Sequence, residues 1–274
     1  GNPWREGAPG RSKWFRQNGI NPAGDDSKKA INIFLGCLAG YDHRARKTAE
    51  SAMHILQTTG VPFKILSDEE VCCGDTVHRV GDFSTAEKVR EINKENILKN
   101  NFEKVYVLSP HCFSAFKDIL NADKTEDIEV APLIELLHHL VSNGAIQITD
   151  KIQKKITFHD PCFFSKHLNV IDQPREILKG IPGIEFVEMK NYGKNNLCCG
   201  GGGGGIWRDM KKGERLAEIR LDQALEVGAQ AVVTACPYCL SMLEDAKQGD
   251  EKYQCLEIMD IFELIEKGMG HENN

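Results

Sequence analysis

No long hydrophobic run occurs in this sequence. The longest apolar stretches are about ten residues, against the roughly 20 needed to span a bilayer, so a chain anchored by its own transmembrane helix is excluded. Basic charge is also in deficit, with 34 Lys plus Arg against 40 Asp plus Glu and a formal charge of −6. A nucleic-acid groove needs the opposite balance. The N-terminus lacks the charged, apolar and small-residue parts of a secretory signal. What is there suits a globular protein: 41% hydrophobic and 27% charged residues among 274 exclude a disordered or fibrous chain. The length suits two domains of about 130 residues or one larger one. Ten cysteines are too many for ordinary packing and too few for a disulfide miniprotein, so their spacing decides their purpose. They favour a reducing compartment, and the expected location is cytoplasmic, peripheral at the inner face of a membrane at most.

Residues 1–28 are polar, with Gly, Pro, Trp4 and Trp14, and read as an irregular arm or linker docked by its tryptophans. From Ala30 the pattern alternates. AINIFLGC is a short apolar run of the kind that forms a buried strand, and RKTAESAMHILQTTG has apolar residues at helical spacing before Gly60. Strands are expected again at VPFKIL, VYVLSP and IEVAP, with helices between. The order recurs from KITFHDPC onward, where MKKGERLAEIRLDQALEVGA reads as one long amphipathic helix. The cysteines mark a duplication: Cys37 and Cys162 are 125 apart, Cys72–Cys73 and Cys198–Cys199 126, and Cys112 and Cys239 127. Strand–helix alternation predicts parallel sheets with right-handed crossovers. The expected fold is α/β, in two tandem similar lobes at 29–150 and 151–274.

In each repeat the cysteines follow strands one, two and three. Parallel strands all end at one edge, and ligands bind outside those carboxyl ends. Topology therefore gathers Cys162, Cys198, Cys199, Cys236 and Cys239 at one edge and Cys37, Cys72, Cys73 and Cys112 at the other. Crowded thiolates need a metal, and soft ligands select iron–sulfur clusters, zinc or copper(I). Five thiols, two of them adjacent, suit the closed tetrahedron of zinc poorly. The glycines after the paired cysteines support a bulky anion. Gly74 follows Cys73, and Gly200, Gly201 and Gly202 open a run of six that lets backbone amides approach closely, with a helix expected behind. No Lys-Ser/Thr of a phosphate loop follows the run.

The pattern of Cys, Cys-Cys-Gly and Cys-x-x-Cys resembles the CCG, or cysteine-rich, domain. It is carried by HDPCFFSKH at 159–167, PREILKGIPG at 174–183, NLCCGGGG at 197–204 and TACPYCLSML at 234–243, and in the first half by CCGDTVHRVGD at 72–82 and SPHCFSAFK at 109–117. The family includes the B and D subunits of heterodisulfide reductase and iron–sulfur subunits of glycolate, lactate and flavoprotein–quinone systems. The resemblance covers residues 30–266. It implies a non-cubane [4Fe-4S] cluster in the second lobe, where all five cysteines are present. Ser109 stands where that lobe has Cys236, so the first lobe keeps four thiolates, enough for a second, cubane [4Fe-4S] cluster. The implied function is an iron–sulfur oxidoreductase component. It either acts on a disulfide or thiol substrate or relays electrons between a flavoprotein and a quinone-linked partner. No ferredoxin-type Cys-x-x-Cys-x-x-Cys run occurs in the chain, so a ferredoxin-type, flavoprotein or membrane quinone-linked subunit is the expected electron partner.

Other residues read less sharply. His111 and His159 are candidate catalytic proton carriers or donors to cluster sulfur. Asp160 reads as a turn cap, Arg175 and Lys179 as a solvated face, and Cys255 as a buried core thiol. Trp207 reads either as a wall shielding the cluster or as core packing. Two other classes stay open: a zinc-bound module, and a dithiol enzyme using Cys236 and Cys239.

Overall fold

The β-branched and apolar runs form two four-stranded sheets in which every strand pair is parallel. The computed structural model describes residues 10–22, 30–66, 69–100, 102, 104–122 and 128–270. Trp4 and the segment 23–29 lie outside the described residues. The chain forms two compact units, Gly1–Leu133 and Ile134–Asn274.

The first contains α1 (Arg11–Gln17), β1 (Ile31–Phe34), α2 (Cys37–Tyr41), α3 (His43–Thr58) and β2 (Phe63–Ile65). It continues with α4 (Asp75–Arg79), α5 (Phe83–Lys99), β3 (Lys104–Val107), α6 (Pro110–Ala122) and β4 (Glu129–Pro132). The second begins within α7 (Leu133–Ser142) and continues with β5 (Lys154–His159), α8 (Asp172–Gly180) and β6 (Ile184–Phe186). It closes with α9 (Leu216–Glu226), β7 (Ala231–Thr234), α10 (Pro237–Gln248), β8 (Glu257–Asp260) and α11 (Ile261–Gly268).

The sheets share one order, β2-β1-β3-β4 and β6-β5-β7-β8. The chain leaves β1 for one side and returns to the other, which makes the β1/β3 and β5/β7 boundaries the crevices where ligands collect. Phe34 pairs with Val107 there, and His159 with Thr234. The central strands are the most buried, as strands covered on both faces must be: all four residues of β7 and the last four of β5 are buried.

Three expectations need correction. Residues 11–17 are helical, not irregular; Trp14 stacks on Phe15, donates to Glu50 and lies under Arg46, which docks this segment on α3. The long helix expected from Met210 begins only at Leu216, because Gly213 turns back with φ +85° and its N–H donates to Glu218 of the first turn. Gly200–Gly205 therefore lead into a 3-10 turn, Gly205–Trp207, and not into a helix N-terminus.

Asp160 and Arg175 do more than cap a turn and face solvent. Both are buried, and Arg175 Nη1 and Nη2 donate to Asp160 Oδ1 and Oδ2 at 2.8 and 2.9 Å. Arg175 also grips Glu188 and lies against the rings of Phe158 and Tyr192. Its positive form is favoured further by the two carboxylates, although burial opposes it. Asp160 accepts in addition from the Gly193 N–H at 2.8 Å, and its carbonyl accepts from Asn196 Nδ2 at 2.6 Å. This clamp fixes the segment before Cys198 to the end of β5. Replacing Arg175 with Met leaves the Asp160 charge buried without its cation, a loss of about 3–5 kcal/mol for a broken buried pair. Urea unfolding of the intact chain should show a lowered midpoint; a loss under about 1 kcal/mol would show that the clamp is not needed.

Candidate metal centre

The end of each central strand delivers its cysteines to the sheet edge. Cys162 follows β5, and after it Phe163–Leu168 winds as a π-helix closed by Asn169 at φ +58°. Such bulges recur at functional sites. Cys236 is the N-cap of α10, Pro237 its first residue, and Cys239 lies in its first turn, where the helix dipole favours negative sulfur. In lobe one Cys37 opens α2, and Cys112 lies in the first turn of α6.

The thiols form a continuous chain in each lobe. In lobe two Cys198 Sγ is 3.9 Å from Cys162 Sγ, and Cys199 Sγ is 3.3 Å from Cys239 Sγ. Cys198 also bonds Cys199, and Cys239 bonds Cys236. In lobe one the chain runs Cys37, Cys72, Cys73, Cys112. The first cysteine of each adjacent pair is the acidic one. Cys198 is pulled far below an ordinary thiol by bonds from Cys162 and Cys199 and from the Gly200 N–H at 3.2 Å. Cys72 is lowered likewise by Cys37, Cys73 and the Gly74 N–H. The remaining thiols pay for it: Cys162, Cys199 and Cys239 are pushed up by sharing hydrogen with their neighbours and by burial.

Only part of such a set ionises without a cation, so the donor set fits a soft, multiply charged metal group. Two orphaned atoms fit it as well. His159 Nε2 and Arg220 Nη2 are buried and without a partner among the described residues. In lobe one Ser109 Oγ, at the place of the missing fifth thiol, is likewise buried without a partner among the described residues.

The glycines form the wall. Gly74 (φ +82°) and Gly200 (φ +88°) are left-handed and aim their amides at the sulfur two residues back. At Gly205 an added Cβ would lie 1.8 Å from Gly200 O, so the loop closes only without side chains. Gly201 packs on Met242, and Gly200, Gly202 and Gly205 line a cavity of about 210 Å³ shared with Cys199, Arg208 and Leu216.

The two candidate histidines have different settings. His111 Nδ1 is 2.8 Å from Asp75 Oδ2, both buried. His159 is fully buried, and desolvation together with Arg220 pushes its pKa down to about 3. A ring nitrogen of His159 lies within 4.8 Å of Cys199 Sγ and Cys239 Sγ. Cys255 is exposed rather than a core thiol, because it follows the 3-10 turn Glu251–Tyr253 at the surface. Trp207 is 46% exposed and edge-on to Tyr238, so it is neither core packing nor a sealed wall.

Arg220, Asn93 and Glu70 are missing from the sequence-based candidates. Glu70 accepts from the Leu35 and Gly36 N–H groups, and Asn93 holds Val71 N and Cys72 O. A signal existed: Arg220 lies in the buried stripe Ala217, Leu221, Ala224, and Asn93 in the stripe Ala86, Val89, Ile97.

Comparison with known proteins agrees with this geometry. A protein named "Probable iron-sulfur-binding oxidoreductase FadF" from Bacillus subtilis is 34% identical over 97% of this chain. The EtfAB:quinone oxidoreductase of Syntrophomonas wolfei is 32% identical over 98%, and a component of the dihydromethanophenazine:CoB–CoM heterodisulfide reductase of Methanosarcina barkeri is 32% identical over 89%. The chain spans 38%, 39% and 60% of these relatives' own lengths. A solved aspartate racemase homologue from Pyrococcus horikoshii aligns with 88% of this chain and 97% of its own at 9% identity and a TM-score of 0.35, too slight a likeness to carry an argument. The model of the cysteine-rich domain matches twice, at residues 31–117 and 156–244, so the chain belongs to the CCG cysteine-rich domain family.

Proposed function

We propose that the chain is an iron–sulfur oxidoreductase component that passes electrons through a [4Fe-4S] cluster held by Cys162, Cys198, Cys199, Cys236 and Cys239. The observation that carries this reading is the chain of five thiols at the β5/β7 edge, in which Cys198 is acidified by its neighbours. The non-cubane form is the one implied by family membership. Cys37, Cys72, Cys73 and Cys112 are proposed to hold a simpler cubane cluster in lobe one. Such clusters supply one-electron transfer, and the residues around them bind, orient and shield. His111, oriented by Asp75, is proposed as a proton carrier on lobe one; His159, neutral and buried, suits donation to sulfur better than storage of a mobile proton.

The partner is proposed to be a flavoprotein, ferredoxin-type or quinone-linked subunit, since relatives of this chain carry quinone oxidoreductase and heterodisulfide reductase names. No helix among the described residues is long and apolar enough to cross a membrane, and a peripheral, cytoplasmic site of action is part of the proposal. A second reading, direct action on a disulfide or thiol, is supported by the cavity of about 210 Å³ that reaches Cys199 beside Arg208 and Arg215. Anaerobic EPR of the reconstituted chain separates the two: a signal altered by added thiol or disulfide favours the substrate reading, and an indifferent one the relay.

Replacing Cys198 or Cys199 with Ala should abolish the lobe-two signal and destabilise that lobe, because metal binding and folding are coupled. Full iron content in either variant, or zinc in place of iron in the parent protein, would defeat the assignment. Ser109→Cys completes the five-thiol set of lobe one, since a thiol is a softer and far more acidic ligand than a hydroxyl. Iron per chain should rise or the lobe-one spectrum should change. An unchanged iron content and spectrum would mean that lobe one is a structural copy.

A further inference from the structure

One buried imidazole and one buried guanidinium in lobe two keep unused donors beside the thiols. His159, the last residue of β5, and Arg220 of α9 are both 0% exposed. Arg220 Nε donates to His159 Nδ1 at 3.1 Å. A guanidinium has no acceptor, so Nδ1 is the lone-pair nitrogen and the neutral ring carries its hydrogen on Nε2. That Nε2 and Arg220 Nη2 are both buried without a hydrogen-bond partner among the described residues. Arg220 lies within electrostatic reach of Cys239 and Cys199, the thiols that also surround His159. A donor left unmade in a protein interior is costly. Two of them on a bonded pair of residues near Cys199 and Cys239 make physical sense as donors awaiting sulfur.

Lobe one carries no such pair at the corresponding positions. Counted from Cys37 and Cys162, Phe34 stands where lobe two has His159; counted from Ser109 and Cys236, Asn93 stands for Arg220. Phe34 packs edge-on against Phe116, and the Asn93 amide is committed to Cys72 O and Val89 O. The two lobes share a scaffold and differ in the donors they turn toward it.

We propose that His159 and Arg220 act as a coupled donor pair. Through Nε2 and Nη2 they hydrogen-bond the sulfur held at Cys199 and Cys239, and so raise the reduction potential of the lobe-two cluster. The proposal rests on the reading that lobe two holds a cluster. Reduction adds negative charge, and donors fixed in a dry site stabilise the reduced state more than the oxidised one. Neither residue touches a substrate; both are positioning residues that act on the electron's resting energy.

The test is an EPR-monitored redox titration of the full chain, loaded anaerobically with iron and sulfide. His159→Phe, which copies lobe one, should move the lobe-two midpoint negative by a tenfold or greater change in the oxidised-to-reduced ratio, about 59 mV for one electron. Iron content should stay the same. His159→Gln, whose amide can both accept from Arg220 and donate onward, should recover most of the shift. Arg220→Lys should keep more of the parent potential than Arg220→Asn. A loaded His159→Phe protein with an unmoved midpoint overturns this proposal alone. A parent protein that takes up no iron overturns the functional reading and this proposal together. Where a variant fails to load, 15N NMR of the metal-free parent chain still decides: the proposal requires the Nε2–H tautomer of His159, and the Nδ1–H tautomer overturns it.

Discussion

Negative charge crowded at a dry sheet edge is the constraint on which the rest of this structure depends. Parallel strands end together, so cysteines placed after strands one, two and three must meet, whatever the distance between them in the chain. Once met and buried, they cannot all ionise. The hydrogen-bonded chain of thiols in each lobe, with Cys72 or Cys198 acidified and Cys73, Cys112, Cys162, Cys199 and Cys239 pushed up, is what such a set does when left to itself. Three nearby features lower the cost of negative sulfur: helices that begin at the cysteines, left-handed glycines that turn amides inward, and in lobe two a buried arginine.

Holding that edge in place is a separate problem, which the two lobes solve with opposite polarity. In each, the segment before the adjacent cysteines must be fixed to the loop after the central strand. Lobe one does it with Glu70, which reaches from the cysteine segment to the amides of Leu35 and Gly36. Lobe two places the carboxylate on the strand side instead, at Asp160, and the amide of Gly193 comes to it. That carboxylate needs Arg175, and Arg175 in turn needs Glu188, Phe158 and Tyr192 around it. The second solution draws in more side chains than the first.

The duplication, the order of the strands along the chain and the gathering of the cysteines are legible because each follows from periodicity plus the geometry of parallel sheets. The start of the α-helix behind the glycine run is not, because amphipathic spacing extends smoothly through Met210–Arg215, and only the left-handed Gly213 shows that the backbone turns there. Arg175 reads as solvated because charge alone predicts exposure; its burial depends on Asp160, a residue 15 positions away whose side chain sequence spacing does not place. Cys255 misleads for the converse reason, since a thiol outside any motif has no positional signal and hydrophobicity alone favours the core. The π-helix after Cys162 leaves no periodic trace over six residues.

Arg220 shows where such reading can go further. A charged residue in the apolar stripe of a helix contradicts the local pattern, and contradictions of this kind collect at functional sites. Besides Gln223 on its own helix, Arg220 reaches His159, the last residue of β5. The same stripe in lobe one holds Asn93, which turns its amide to the backbone of the cysteine segment and leaves nothing for sulfur. One difference on the strand and one on the helix thus separate a lobe whose Asn93 is committed to its own backbone from one in which His159 and Arg220 keep free donors near Cys199 and Cys239. The duplicated fold supplies the edge, and these few buried polar residues distinguish one edge from the other.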